Sequence, residues 1–151
     1  LTVLDSKTHD QLVVFNNWDG PMLALKEDSR ITVYSEDSLA LQSPVVKSYR
    51  KGTFAGEVSI KPLRSLLWHN GSKVLVIDSA ATYSPQMKPD VLVLTHSPKV
   101  NLERLLSELK PKQVVADASN YKSYIARWEA TCQKQKIPFH ATAEKGSFRI
   151  E

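Results

Sequence analysis

One cysteine, five glycines and no long apolar run set the first limits on this 151-residue chain. Cys132 stands alone, so no internal disulfide forms and no cysteine-rich zinc site can be built. No apolar stretch approaches the roughly 20 residues that cross a bilayer, and no signal-peptide pattern opens the chain. Ser79, Ser97 and Ser119 invite a serine-hydrolase reading, but none lies in a G-x-S-x-G elbow. Walker and dinucleotide glycine patterns are also missing, as are internal repeats and low-complexity linkers. What remains is 42% hydrophobic and 24% charged residues, an ordinary globular composition. A single domain over residues 1–151 is expected, large enough to bury a core. The chain opens as LTVLD, already strand-like, and its first methionine is Met22, so a soluble piece of a longer protein is expected.

Charge is unevenly spread. Residues 1–46 hold three basic and seven acidic side chains, against seventeen and nine in residues 47–151. The basic second part suits a polyanion, although a solvated surface is the plainer reading. Lys99, Arg104, Lys110, Lys112 and Lys122 cluster in sequence around two helix ends and are the candidate phosphate contacts.

Hydrophobic patterning predicts two different halves. Gln11 to Phe15, Met22 to Leu25 and Ile31 to Tyr34, separated by Asp19-Gly20 and Glu27-Asp28-Ser29, read as a β meander. Leu39, Leu41, Val45, Val46 and Tyr49 suggest an amphipathic helix, broken or kinked near Pro44. Glu57 to Ile60 alternates as an edge strand, Leu66 to Trp68 is another strand, and KVLVI at Lys73 to Ile77 is a buried one. Val91 to Thr95 is a further buried strand, and Asn101 caps a helix whose Leu102, Leu105, Leu106 and Leu109 face the core. Gln113 to Ala116 follows, then a helix beginning at Ser119 or Asn120 with Tyr121, Tyr124, Ile125, Trp128 and Cys132 on one buried stripe. Pro138 to His140 and Ser147 to Ile150 close the chain as strands. The class is α/β (α+β), a meander followed by right-handed βαβαβ units.

The stretch KPDVLVLTHSPKVN, Lys88 to Asn101, organises this pattern, because the carboxyl end of a buried parallel strand is where α/β sheets build sites. His96 stands there, and Asp78 and Asp117 end the neighbouring strands. Together they could bind a divalent ion or act as acid and base. In the plainer reading, His96 caps its loop and each aspartate accepts backbone N–H bonds in its own turn. The chain has only His9, His69, His96 and His140, no two close enough in sequence to chelate locally, whereas a two-metal hydrolase needs about five ligands.

VLVID at Val74 to Asp78 followed by DVLVLTH at Asp90 to His96 and a leucine-rich helix is similar to the metallo-β-lactamase fold. LDSKTHD at Leu4 to Asp10 resembles the LDVGQGD opening of the lactamase-like domain of ComEC-type DNA-uptake proteins, with the glycine lost beside His9 and Asp10. EKGSFRI at Glu144 to Ile150 resembles that domain's last hairpin. Residues 36–66 have no assigned counterpart. The resemblance is to the carboxy-terminal domain of the ComEC family, in the short form seen in Bacteroidetes.

It implies a parent that is a multi-pass inner-membrane protein passing one DNA strand, with this domain outside the membrane. The implied partners are the membrane-embedded remainder of the same chain and DNA. The enzyme family's metal motif is H-x-H-x-D-H. Here His96 matches the first histidine, but Pro98, Val100 and Asn101 stand at the other three positions, and Asp117-Ala118-Ser119-Asn120 replaces a downstream histidine. The expectation is a degenerate site without zinc or other cofactor, and a non-catalytic binding or scaffolding role. Two alternatives stay open: a divergent metal-dependent nuclease or phosphoesterase using His96 with Asp78 and Asp117, and a structural interaction domain without DNA contact.

Overall fold

The computed structural model describes residues 10–17, 19–53 and 55–151. His9 and most of the LDSKTHD stretch lie outside them. Two five-stranded sheets are formed. The first contains β1 (Gln11–Val14), β2 (Met22–Glu27), β3 (Arg30–Ser35), β4 (Glu57–Lys61) and β10 (Phe148–Ile150), in the order β10-β1-β2-β3-β4. The second contains β5 (Leu66–His69), β6 (Ser72–Ile77), β7 (Val91–Leu94), β8 (Gln113–Ala116) and β9 (Phe139–Ala141), in sequence order. Among the described residues, four α-helices accompany them: α1 (Pro44–Thr53), α2 (Leu102–Leu109), α3 (Lys122–Gln135) and the single turn α4 (Thr142–Lys145).

Alternation along the strands sorts the apolar side chains into three layers. Leu12, Val14 and Leu23 of the first sheet meet Val74, Val76, Val93 and Val115 of the second. On the outer side of the first sheet, Val13, Ala24 and Val33 pack against Val46 and Tyr49 of α1. On the outer side of the second, Leu75, Ile77, Leu92 and Leu94 pack against Leu105, Leu109, Trp128 and Cys132. The result is a four-layer αββα sandwich, a mixed α/β architecture of the class expected. Strands β6, β7 and β8 read as unbroken apolar runs because both of their faces are covered. Each fully buried leucine there contributes roughly 1.5–3 kcal/mol.

Most expected elements are present. The meander β1-β2-β3 is antiparallel, and β6 to β9 are parallel in successive pairs. Pro44 opens α1 as its first residue instead of kinking it, since a proline there loses no helical hydrogen bond. A separate 3₁₀ turn at Ala40–Gln42 precedes it. The closing strands form no hairpin: β9 completes the second sheet, and α4 carries the chain across to the first, where β10 pairs antiparallel with β1. α3 starts at Lys122, later than expected, because Ser119 and Asn120 are engaged elsewhere.

Candidate functional site

Strand register brings the expected residues to one edge. Ile77, Leu94 and Ala116 are cross-strand partners, so Asp78, Thr95 and Asp117 leave the sheet side by side at its carboxyl end. Asp78 and Asp117 are two strand spacings apart, about 10 Å, with β7 between them. Asp78 is exposed, and its Oδ1 accepts the Ala80 N–H at 3.0 Å, a local turn contact.

His96 and Ser97 both adopt left-handed backbone conformations, with φ of 55° and 49°. Such geometry costs non-glycine residues energy and needs outside support. The turn after β8 supplies it. Ser119 Oγ accepts the His96 N–H at 2.9 Å, and Asn120 Oδ1 accepts the Ser97 N–H at 2.8 Å. Ser97 Oγ in turn accepts the Tyr121 N–H at 2.8 Å. Asn120 Nδ2 donates to the Leu94 carbonyl at 2.7 Å and the Asp117 carbonyl at 3.0 Å. The two loops are thereby clasped together.

Asp117 anchors the clasp from below. It is 1% exposed, and its Oδ1 accepts both the N–H and the hydroxyl of Ser119. Its Oδ2, like the buried Thr95 Oγ1, has no hydrogen-bond partner among the described residues. Burial pushes the Asp117 carboxyl up to about 6, against the opposing pull of the Ser119 hydrogen bonds and the nearby His96. The structure therefore brings His96 and Asp117 together and leaves Asp78 apart. Among the described residues, no group of three or more histidine, cysteine, aspartate or glutamate side chains is placed to hold a metal ion.

The first sheet reaches this edge through Gly20, in the loop between β1 and β2. Gly20 has φ of 146°, and Asn17 Nδ2 donates to its carbonyl at 2.9 Å. A Cβ built on Gly20 would lie 3.4 Å from His96 Nε2. Gly20→Ala is expected to destabilise the fold by about 1–3 kcal/mol through backbone strain at that φ, with the added methyl in van der Waals contact with the His96 ring. Urea denaturation and the His96 imidazole NMR shifts would check this; unchanged shifts would mean that the ring does not depend on that space.

The other described histidines, His69 and His140, lie elsewhere. His140 Nε2 is 2.8 Å from the Gly146 carbonyl, and its ring stands edge-on to Phe148. His69 is buried at the far end of β5.

The five candidate phosphate contacts are divided between two edges. Lys99 and Lys122 flank the carboxyl edge, whereas Lys110 and Lys112 follow α2 back to the opposite edge, where Lys112 Nζ lies 3.7 Å from Asp90. Arg104 pairs with Glu108 at 2.9 Å on the α2 surface. Beside Lys99, a cleft of about 460 Å³ opens between the loop after β7 and the first turns of α3, lined in part by Asn101, Glu103, Tyr124, Arg127 and Trp128. Tyr121, expected on the buried stripe, is 67% exposed, because it precedes α3 as its cap residue and does not follow the helical periodicity. Sequence spacing places Tyr121 with Tyr124 and Trp128 on the buried stripe, which speaks against stacking by these rings, and the only hint of the Ser119-Asn120 clasp is the turn-forming Asp-x-Ser-Asn run.

Comparison with protein families matches the ComEC C-terminal domain over residues 12–151. Comparison with curated proteins gives no match. Among solved structures, a crystal structure of a diphosphatase from the PhnP family is similar at 9% identity, covering 95% of this chain and 98% of the other, with a TM-score of 0.48.

Proposed function

Because the chain belongs to the ComEC C-terminal domain family, we propose that it is a non-catalytic module of a membrane-anchored DNA-uptake protein, working by binding or scaffolding. The observation that carries this reading is the chemistry of the donor set where a lactamase-like hydrolase would hold its metals. The side chains of Pro98 and Val100 offer no donor atom. Asn101 Oδ1 is committed to capping α2, accepting the Arg104 N–H at 3.2 Å. Asp117 Oδ1 is taken up by Ser119, and Asp78 stands about two strand spacings away. His96 and one oxygen of Asp117 fall short of the protein ligands a catalytic zinc needs. The residues do not fit the metal centre, and no hydrolytic step is routed through one.

A second reading, a divergent metal-dependent nuclease or phosphoesterase centred on His96 and Asp117 with Asp78, draws on the buried Asp117 Oδ2 that lacks a partner. One experiment separates the two. The full chain, loaded with zinc or manganese and desalted, is expected to retain no stoichiometric metal and to leave labelled single-stranded and duplex DNA intact. Retention of a metal equivalent together with cleavage lost in His96→Ala would overturn the non-catalytic reading.

Among the described residues, no helix is long and apolar enough to cross a membrane. In this proposal the remainder of the parent chain supplies the anchor.

A further inference from the structure

We propose that the face formed by Tyr121, Tyr124 and Arg127, together with Lys99 and Lys122, is a binding site for single-stranded polynucleotide, with Tyr121 as the base-stacking platform. This rests on the DNA-uptake reading and adds to it a location, a strand form and a mode of contact. The site lies beside the degenerate metal position and does not use it.

The first observation is the aromatic ladder. Tyr121 stands edge-on to Tyr124 at 5.5 Å, and Tyr124 stands edge-on to Trp128 at 5.7 Å. The series runs from the buried Trp128 outward to Tyr121, which is more exposed than any other large apolar side chain among the described residues. A ring so exposed is usually mobile. Here its backbone is fixed at both sides, by the Tyr121 N–H to Ser97 Oγ and by the Tyr121 carbonyl, which accepts the Ile125 N–H at 3.1 Å. A pre-positioned ring loses little freedom on stacking with a base.

The second observation is charge. The Arg127 guanidinium lies over the Tyr124 ring at 4.8 Å, an arrangement that leaves it able to contact phosphate or stack in turn. Lys99 lines the adjoining cleft, and Lys122 follows Tyr121 directly; both are exposed. The cleft's one carboxylate, Glu103, lies 4.0 Å from Lys134 Nζ, so the face is left net cationic. Aromatic rings interleaved with cations are what sequence-tolerant single-strand binding requires, because every base has a stacking face and every nucleotide a phosphate. Duplex DNA keeps its bases inside and gains only the charge.

Fluorescence anisotropy with the full chain and a labelled oligothymidylate of about 12 nucleotides tests this. Binding is expected to be tighter than for a duplex of equal length. Tyr121→Ala should weaken it about 5- to 150-fold, while Tyr121→Phe should keep it. Lys99→Gln with Lys122→Gln should reduce the log–log salt slope by about 1.4, and Lys110→Gln with Lys112→Gln, on the other edge, should not. Tyr121→Ala binding as tightly as the unaltered chain, or a preference for duplex, overturns the site while DNA binding as such stands. Binding to neither form overturns the site and leaves the uptake module as a scaffold without DNA contact.

Discussion

Asn120→Ala is expected to destabilise the chain by about 3–4 kcal/mol and to lower its melting temperature by about 10 °C. The Asn120 side chain is buried and satisfies three main-chain groups, the Ser97 N–H and the carbonyls of Leu94 and Asp117. Removing it forfeits about 1 kcal/mol per hydrogen bond and leaves buried partners unsatisfied, each costing about 1–3 kcal/mol if the loop cannot turn to water. The loop has reason to move. His96 and Ser97 are held at positive φ only while the clasp persists, so release lets both relax. Part of the loss is recovered in this way, which is why the expected cost lies below the sum of its terms. Urea denaturation measures the stability, and amide exchange at Ser97 reports the release. A change under about 1 kcal/mol with Ser97 still protected would mean that the loop is held by something other than this side chain. Asn120→Asp keeps the acceptor for Ser97 but places a second carboxyl beside Asp117. It should therefore be more destabilised at pH 8 than at pH 5.

The same clasp shows where sequence reading reaches and where it stops. Val91 to Leu94 and Val74 to Ile77 were legible as buried strands because their apolar runs are continuous, and Leu102 to Leu109 as a helix because its leucines recur at helical spacing. The place of His96 at a strand end followed from the same pattern. Partnership across the sheet did not. Asp117 and Asp78 look equivalent in sequence, each ending a buried strand with a small residue after it. Only tertiary packing buries one to 1% exposure and leaves the other in solvent. Helical spacing to Tyr124 and Trp128 predicts Tyr121 in the core, yet its own backbone is extended, with ψ of 141°, and its ring is exposed. The resemblance of Glu144 to Ile150 implies a closing hairpin with Ser147 to Ile150 as its strand, whereas sheet membership is settled by the edge of β1, more than a hundred residues earlier.

Asp117→Asn is expected to remove a pH dependence of stability amounting to about 3 kcal/mol between pH 4 and pH 7. The Asp117 carboxyl is raised from its ordinary 3.8 to about 6 in the folded chain, chiefly by burial. The folded state therefore holds its proton over a range in which the unfolded state has released it. Stability contributed by this group is full below about pH 4, declines as pH rises, and levels off above about pH 6, where both states are ionised. Asparagine keeps an oxygen for the Ser119 N–H and hydroxyl but cannot ionise, so the variant's stability should lack this decline. The difference between the two denaturation curves, taken pH by pH, isolates Asp117 from every other titrating group. Parallel curves from pH 4 to pH 7 would show that water or a local shift relieves the carboxylate. His96 supplies an internal check: its charge opposes the upward shift, so His96→Ala should move the decline to higher pH. Zinc supplies another. A metal bound to Asp117 requires the ionised carboxylate, and would stabilise the chain at pH 7 and shift the decline downward. If His96 and Asp117 are the remains of a site closed by Ser119 and Asn120, the profile in zinc should overlay the profile without it.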